Sequence, residues 1–499
     1  MPPHTRRAFL GQLAATTLAA TVPGTLRAQS GPDPAKRKLN VLFIMSDDMR
    51  VELGCYASMF NAQTPNLDAL AHAGVRFDRN YCQFPLCNPS RASLLTGRNP
   101  TQTSVLGNRT DFRVAHPDWT TLPQLFKDNG YVTVRAGKIY HGGIDDAPSW
   151  SATSDKGGTT DDGSGPAVGK TMVIPRVQIP MPDGVLPPLP ADNARAAYSD
   201  RIVVLEGNGE GHGDYHTADR TIENLQKYKD QPFFIACGFV KPHSPPTAPQ
   251  KFIDLYDVDK IQLTPDFAAW PTVPAGFPSA AIRKRNADLF IGRGASEAEA
   301  KEVIRAYLAS ISWVDWNIGR VIAELDRLGL RENTIIVFLA DHGYQLGEKG
   351  KWSKAGSLFE MGTRVPLIIH APGAAGNGQA CTRIVQSLDL YATLAQLCNL
   401  TLPSDNEGTS LVPLLEKPDT EWKQPGYSVW SEDGKTFHGV AVRTEEYRYA
   451  EYGPNGQNGA MLFDCKADPL EMKNLADDPK FAAVRVELSA LTRKYAANL

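Results

Sequence analysis

No run of about 18 uninterrupted apolar residues, the length a membrane-spanning helix needs, occurs in the 499-residue chain. Long blocks of like charge are also missing, and the formal net charge is only −3. Without a basic stripe, nucleic acid is not an expected partner. The seven cysteines include no CxxC pair, which excludes a zinc ribbon and a thioredoxin-like redox site. Their number is odd and their density low, so disulfides do not build the scaffold, although one or two bridges can form after export. No internal repeat is visible.

Residues 1–28 stand apart from the rest. They carry Arg6 and Arg7, then a weakly apolar Ala/Leu/Thr run, then small residues up to Ala28. That order is the pattern of a twin-arginine signal peptide. It predicts an exported chain, periplasmic or secreted, with no stable membrane insertion. A short polar linker, GPDPAKRK, follows.

Beyond the linker, apolar runs alternate with helical patterns. LNVLFIMSDD (39–48), YVTVRAGKIYH (131–141), PFFIACGFVKPH (232–243), TIIVFLADHG (334–343) and VPLIIHAPG (365–373) read as strands. TPNLDALAHAGVRF (64–77) reads as a helix and then a strand, while 216–228, 300–330 and 387–400 have helical periodicity. Strands that are apolar on both faces and alternate with helices predict an α/β fold, a large, mostly parallel sheet sandwiched by helices. Residues 142–195, rich in Gly, Ser, Asp and Pro, read as a long surface excursion. From 416 the pattern changes to short strand-like runs (YSVWSE, FHGVAVR, YRYAEY, AMLFDC) and a final helix at 482–496. This predicts a main domain over 36–415 and a smaller C-terminal α+β subdomain over 416–499.

In a parallel α/β sheet, ligands bind beyond the carboxyl ends of the strands. Asp47, Asp48, His243, Asp341 and His342 all fall at such ends. A mostly oxygen donor set of Asp47, Asp48, Asp341 and His342 suits a hard cation, Ca²⁺ or Mg²⁺, better than zinc. Paired aspartates after a strand also serve as helix caps; the second acid-bearing strand end argues for the metal. Cys87 opens LCNPSRASLLTGR (86–98), with Pro89, Ser90 and Arg91 in the first turn of a predicted helix. A free cysteine is commonly a small buried hydrophobe. Here the free N–H groups of a helix start and the Arg91 charge favour an anion beside residue 87. Lys138, His141, His243 and Lys354 add basic groups at strand ends or in the following loops. A sulfate or phosphate ester needs cations on its equatorial oxygens and an acid for the leaving oxygen.

The run CNPSRASLLTGR resembles the signature of the type I sulfatases, of the alkaline phosphatase superfamily. DDMRVELGCY, TPNLDALAHAGVRF, AGKIYH, VKPHSP, ADHGYQLGEKGKWSK and LFDCKADPLEMKNLADD carry the resemblance over nearly the whole mature chain. GCY, GKIYH, VKPH and the DHGYQLGEKGKWSK block are most similar to the iduronate-2-sulfatase group. The resemblance implies that Cys87 is converted to Cα-formylglycine by a formylglycine-generating enzyme, which reads the linear C-x-P-x-R motif. It implies one Ca²⁺, held by Asp47, Asp48, Asp341, His342 and residue 87. Arg91 and Lys138 would hold the formylglycine hydrate, His141 would act as base, and His243 with Lys354 would bind sulfate and assist the leaving oxygen. One hydroxyl of the hydrate would attack sulfur, and loss of the other's proton would release sulfate as the aldehyde reforms. A modification made in the cytoplasm suits an export route that carries folded protein.

The expected substrate is a sulfated saccharide, of uronic-acid type on the strength of the resemblance, with Lys351 or Arg364 meeting its carboxylate. Two other functions stay open on the sequence. One is a phosphonate monoester or phosphodiester hydrolase, because related members share fold, metal and formylglycine. The other is a non-catalytic sulfoglycan-binding protein, which would be expected to have lost Cys87 or a metal ligand. The loop 142–215 and the C-terminal subdomain are expected to line the pocket, and they are the least readable parts. The sugar, the sulfated position, exo or endo action and the oligomeric state are not set by the sequence.

Overall fold

A computed structural model describes residues 38–151, 170–173, 179 and 201–496. The signal-peptide pattern at 1–28 and most of the excursion at 142–195 lie outside the described residues.

The longest apolar runs form the centre. β1 (Asn40–Asp47), NVLFIMSD, is buried at every position. With β2 (Val75–Tyr81), β3 (Val132–Gly137), β4 (Lys170–Val173) and β5 (Arg201–Leu205) it precedes β6 (Phe233–Pro242), also buried throughout. Then come β7 (Thr247–Pro249), the fully buried β8 (Thr334–Ala340), β9 (Arg364–His370) and β10 (Ala380–Gln386). Strands with no polar face must be covered on both sides, and side-chain alternation divides them between two layers. Leu42, Ile44, Ile336 and Phe338 pack with the long helix Glu297–Arg327 and the helices Pro65–Ala73 and Gly213–Tyr228. Val41, Phe43, Ile335 and Val337 pack with the helices Cys87–Thr96, Leu122–Asp128 and Asp389–Leu397.

The seven-stranded sheet runs β10–β2–β9–β8–β1–β6–β3. Only β9 is antiparallel to its neighbours β2 and β8; the other pairings are parallel. β8, β1, β6 and β3 are therefore adjacent and point the same way, so Asp341, Asp47, His243 and Lys138 emerge at one edge of the sheet. A smaller three-stranded sheet joins β4, β5 and β7. The predicted mixed α/β fold, mostly parallel, is what is found. The reversed β9 and the edge strand β10 were not anticipated. Reversal leaves no mark on a strand buried on both faces, and β10 has exposed positions that break its apolar run.

The C-terminal residues form an antiparallel meander of β11 (Gly426–Trp430), β12 (Gly439–Arg443), β13 (Tyr447–Tyr452) and β14 (Ala460–Asp464), followed by the helix Ala482–Ala496. It docks through the Val429 N–H, which donates to Gln83 O (2.9 Å), and through Ser428 Oγ, which donates to Cys82 O (2.6 Å). Phe84, Leu106, Leu358 and Phe359 share a core with Val429, Trp430 and Phe463. This docking carries the loop after β11 to the carboxyl edge of the main sheet. All seven cysteines are free.

Candidate active site

Each acid is placed by an element that the sequence makes rigid. Asp47 ends β1, and Asp48 follows with φ 62°, a left-handed conformation that costs a non-glycine residue about 1 kcal/mol or more. Two contacts hold it there: Tyr307 Oη from the long helix donates to Asp48 O (2.6 Å), and the Asp48 N–H donates to Asp341 Oδ1 (3.3 Å). That helix is itself started by a capping box between Ser296 and Glu299. Lys138 follows Gly137 at the end of β3. Gly137 has φ 69°, and a Cβ on its partner Gly238 would lie 2.0 Å from Lys138 O. The pair of glycines lets the β3 exit press against β6.

Cys87 is the first residue of the helix Cys87–Thr96, preceded by Leu86 in extended conformation. The helix is buried over all ten residues. Cys87 Sγ lies 3.4 Å from Asp47 Oδ1 and 3.2 Å from His342 Nε2. His342 Nδ1 is 3.4 Å from Asp48 Oδ1. One turn on, Arg91 Nε donates to Asp341 Oδ2 (2.8 Å), and Nη1 donates to Lys138 O (2.6 Å) and Ile139 O (3.0 Å). Arg91 Nη2 keeps no hydrogen-bond acceptor and lies 3.6 Å from Asp47 Oδ2. Lys138 Nζ is paired with Asp47 Oδ2, and Lys354 Nζ bridges Asp48 Oδ2 (3.0 Å) and Asp288 Oδ1 (3.5 Å).

These pairings set the charge states. Burial alone would raise the Asp47 carboxyl, but Lys138 and Arg91 hold it well below the usual carboxylate range. Burial opposes a charge on Lys354 too, and there Asp288 and Asp48 win and keep it an ammonium. The two other histidines go the opposite way. Burial and Lys138 push His141 down to about 4, and burial and Lys354 push His243 well below its ordinary value. Both are neutral at pH 7. His243 Nδ1 is 2.8 Å from Ser244 O, so it carries the proton and Nε2 is the acceptor. His141 Nδ1 is buried with no hydrogen-bond partner.

Cys87, Lys138, His141, His243 and Lys354 line one cavity of about 810 Å³. Asp47, Asp48, Arg91, Asp341 and His342 lie in contact beneath it. The wall also holds Arg109, Arg283 and Asp288, to which the sequence did not point, and the stretch Trp430–Gly434 after β11, from the C-terminal part expected to line the pocket. Lys351 and Arg364, expected to meet a substrate carboxylate, are not there. Lys351 Nζ is buried and donates to Arg283 O (3.2 Å) and Arg285 O (3.1 Å). Arg364 Nε donates to Asp78 O (2.7 Å): it starts β9 at the same edge of the sheet, but beside Tyr81 of β2, where it lines a separate cavity with Asp78, Glu360 and Arg443.

Comparison with known proteins places this arrangement. The family profile described as Sulfatase matches residues 39–400, and that of the N-sulphoglucosamine sulphohydrolase C-terminal region matches 347–497. The chain belongs to the sulfatase family. It is 34% identical to human iduronate 2-sulfatase, over 96% of this chain and 98% of that protein. It is also 34% identical to a sulfatase of Formosa agariphila, over 92% and 87% of the two chains. A solved structure, described as a complex with its substrate D-glucosamine-2-N,6-O-disulfate, superposes with a TM-score of 0.68 at 22% identity, over 93% and 98% of the chains. This sulfatase is therefore a sulfuric ester hydrolase of the alkaline phosphatase-like fold.

Its buried acids fit a divalent metal. Donor atoms of Asp47, Asp48, Cys87 and His342 lie within 4.8 Å of one another. Asp48 Oδ1 is buried without a hydrogen-bond donor, an unmet demand that a cation satisfies. Asp341 adjoins this group, with Oδ1 accepting from the N–H groups of Asp48 and His342 (3.3 and 2.9 Å). Among the described residues no helix is long and apolar enough to cross a membrane.

Proposed function

We propose that this sulfatase releases sulfate from a sulfated saccharide, with residue 87 working as Cα-formylglycine beside one Ca²⁺. The observation that carries the reading is the meeting of Cys87 Sγ with Asp47 Oδ1 and His342 Nε2 on the floor of a cavity that also holds Lys138, His141, His243 and Lys354. Sulfated sugars are named for several relatives, iduronate 2-sulfatase among them, and for the solved disulfated-glucosamine complex.

Asp47, Asp48, Asp341, His342 and residue 87 would hold Ca²⁺, which when bound offsets the carboxylates and polarises oxygens at residue 87 and on the ester. As a hydrated aldehyde, residue 87 supplies an oxygen nucleophile and a second hydroxyl whose deprotonation lets sulfate leave. The remaining work belongs to the side chains. Arg91 Nη2, without an acceptor, and the Lys138 ammonium orient the oxygens at residue 87. Neutral His141 takes a proton at its free Nδ1. Lys354 stays charged and draws the sulfate oxygens into the cavity. An arriving anion favours the protonated form of His243, which then offers Nε2–H to the leaving oxygen. Residues 1–28 would export the chain after a formylglycine-generating enzyme has acted on Cys87.

The test combines peptide mass analysis at residue 87, metal analysis, and sulfate release from a panel of defined sulfated mono- and disaccharides. Loss of the thiol, about one calcium per chain and release from at least one sugar are expected. Full activity with an intact Cys87 thiol would overturn the nucleophile, and stoichiometric zinc would overturn the metal. Cleavage of phosphonate esters alone would favour the phosphonate hydrolase reading.

A further inference from the structure

The cations of the cavity are nearly all committed. Lys138 is paired with Asp47, Lys354 with Asp48 and Asp288, and Arg283 Nη2 with Glu432 Oε1 (2.6 Å). Arg109 is different. It lines the cavity, it is exposed, and among the described residues it has no ion-pair partner. The acids of the facing loop are already in use. Glu432 is held by Arg283, and Asp433 accepts from Ser431 Oγ (3.1 Å), the N–H groups of Lys435 and Thr436 (2.8 Å each) and Thr436 Oγ1 (2.9 Å).

The loop that carries Arg109 is fixed to the catalytic helix. Asn88, the residue after Cys87, is buried. Its Nδ2 donates to Gly107 O (2.9 Å) and Thr110 O (2.7 Å), and its N–H donates to Asn108 Oδ1 (3.1 Å). Gly107 and Gly434 also approach each other, with 3.7 Å between a Cβ built on Gly107 and Gly434 Cα. Three hydrogen bonds thus tie the Arg109 loop to the residue beside the reacting one. A cation so anchored and left unpaired is preorganised for an anion of the ligand.

We propose that Arg109 is a specificity residue that binds a second anionic group, a carboxylate or a further sulfate, on the saccharide whose ester sulfate lies at residue 87, and that Asn88 positions it. This rests on the proposed saccharide substrate and adds the requirement for a second charge. The guanidinium fork accepts either anion in the same bidentate manner.

The experiment compares kcat/KM for a monosulfated neutral sugar, a monosulfated uronic acid and a disulfated hexosamine. The unaltered enzyme should prefer at least one dianionic sugar. Arg109→Ala should lower the dianion-to-neutral ratio by about ten- to a hundredfold, the scale of a hydrogen bond to a charged group. Arg109→Lys should restore part of it, and Asn88→Ala should lower the same ratio chiefly through KM. Whichever dianionic sugar loses more identifies the anion as carboxylate or sulfate. The same ratios are then measured as affinities by calorimetry in the Cys87→Ala background, which needs no turnover. A protein that released no sulfate from any sugar would overturn the proposed reaction and leave the affinity ratios to decide Arg109. No dianion preference in the unaltered protein, or an unchanged ratio in Arg109→Ala, would overturn the role of Arg109.

Discussion

At the seam between the main sheet and the C-terminal meander, Arg448 Nε lies 2.8 Å from Glu471 Oε1, and Arg448 Nη2 is bonded to Glu360 Oε2. Tyr81 Oη donates to Glu360 Oε1 (2.8 Å), Glu471 Oε2 accepts from the Glu360 N–H (2.7 Å), and Arg443 Nε stands 3.5 Å from Glu360. At the strand ends, Arg91 meets Asp341, Lys138 meets Asp47 and Lys354 meets Asp48. Both clusters bury acids with cations, yet they differ in which groups meet the acids. In the seam the acids face arginines, and Arg448, Arg443 and Arg364 overcome burial to hold the Glu360 carboxyl below the usual range. Both clusters leave buried polar atoms without a hydrogen bond, Arg448 Nε, Arg443 Nε and Glu471 Oε1 in the seam and Asp47 Oδ2, Asp48 Oδ1 and Arg91 Nη2 at the strand ends. Only at the strand ends do the acids also meet a thiol and an imidazole, beneath a cavity of about 810 Å³. A buried ion pair adds little net stability when complete and costs several kcal/mol when broken. The first cluster pairs its acids with arginines. The second brings together donor atoms of the kinds that can hold a metal ion.

Substitutions can break this contrast. The largest effect is expected for Cys87→Ala, which removes the proposed nucleophile from a pocket whose cations remain. Turnover should fall by roughly 10⁴-fold or more, while the melting temperature and the affinity for a sulfated sugar change little. Asp48→Asn and Glu360→Ala form the direct comparison. Asp48→Asn should lose bound metal and at least roughly 10³-fold in kcat, as the loss of a preorganised electrostatic group does, with a small change in unfolding. Glu360→Ala should destabilise by about 3–5 kcal/mol, because it strips a buried arginine pair of a shared carboxylate, while activity per folded molecule persists. Metal analysis, kinetics and urea unfolding of both variants read out the cross. If Glu360→Ala lost metal or Asp48→Asn unfolded the chain, the two clusters would not be separable.

The pH dependence sharpens the contrast further. Burial and Lys138 lower His141 from its ordinary value to about 4. It is therefore neutral, and usable as a base, at all pH values above that. The acid limb that belongs to His141 should fall as pH drops through about 4, not through about 6.5. His141→Ala should cost about 10²–10⁴-fold in rate and remove that limb, as a pH–rate profile would show. The smallest effect is expected for Lys351→Ala. Burial, with Arg283, lowers Lys351 to about 7. Its folded-state pKa is depressed, so the folded chain sheds a proton that the unfolded chain keeps until about 10.5. Stability from this residue then rises with pH between those values. Lys351→Ala should flatten that rise and cost about 1–3 kcal/mol for the two unmet carbonyls, without changing preference for an acidic sugar.

Much of the candidate site was legible because its residues sit in short runs of fixed spacing. Asp47 and Asp48 end an apolar strand, Cys87 and Arg91 lie one helical turn apart, and Asp341, His342 and Lys354 follow within one block. These identities are dictated by local chemistry and by the linear motif around residue 87, so they are written in the chain. That the C-terminal part lines the pocket was expected, but Arg109 and the particular stretch Trp430–Gly434 were not legible. Nothing local marks an arginine in a turn as unpaired, and the loop reaches the cavity only because β11 docks on Gln83 and Cys82.

The apolar runs by themselves determined a covered, mostly parallel sheet, since a strand such as NVLFIMSD has no face to leave in water. They also determined that the acids would stand at strand ends. Which ends would be neighbours was decided only by the tertiary order β8–β1–β6–β3, which brings Asp341, Asp47, His243 and Lys138 from widely separated sequence positions to one edge. The place of β9 beside β2 was decided there too, and with it the position of Arg364 in a cavity other than the one over Cys87. Strand order and direction depend on which helices cover which face and on how the connections cross, and those are long-range terms. A residue's own neighbours in sequence carry no record of them.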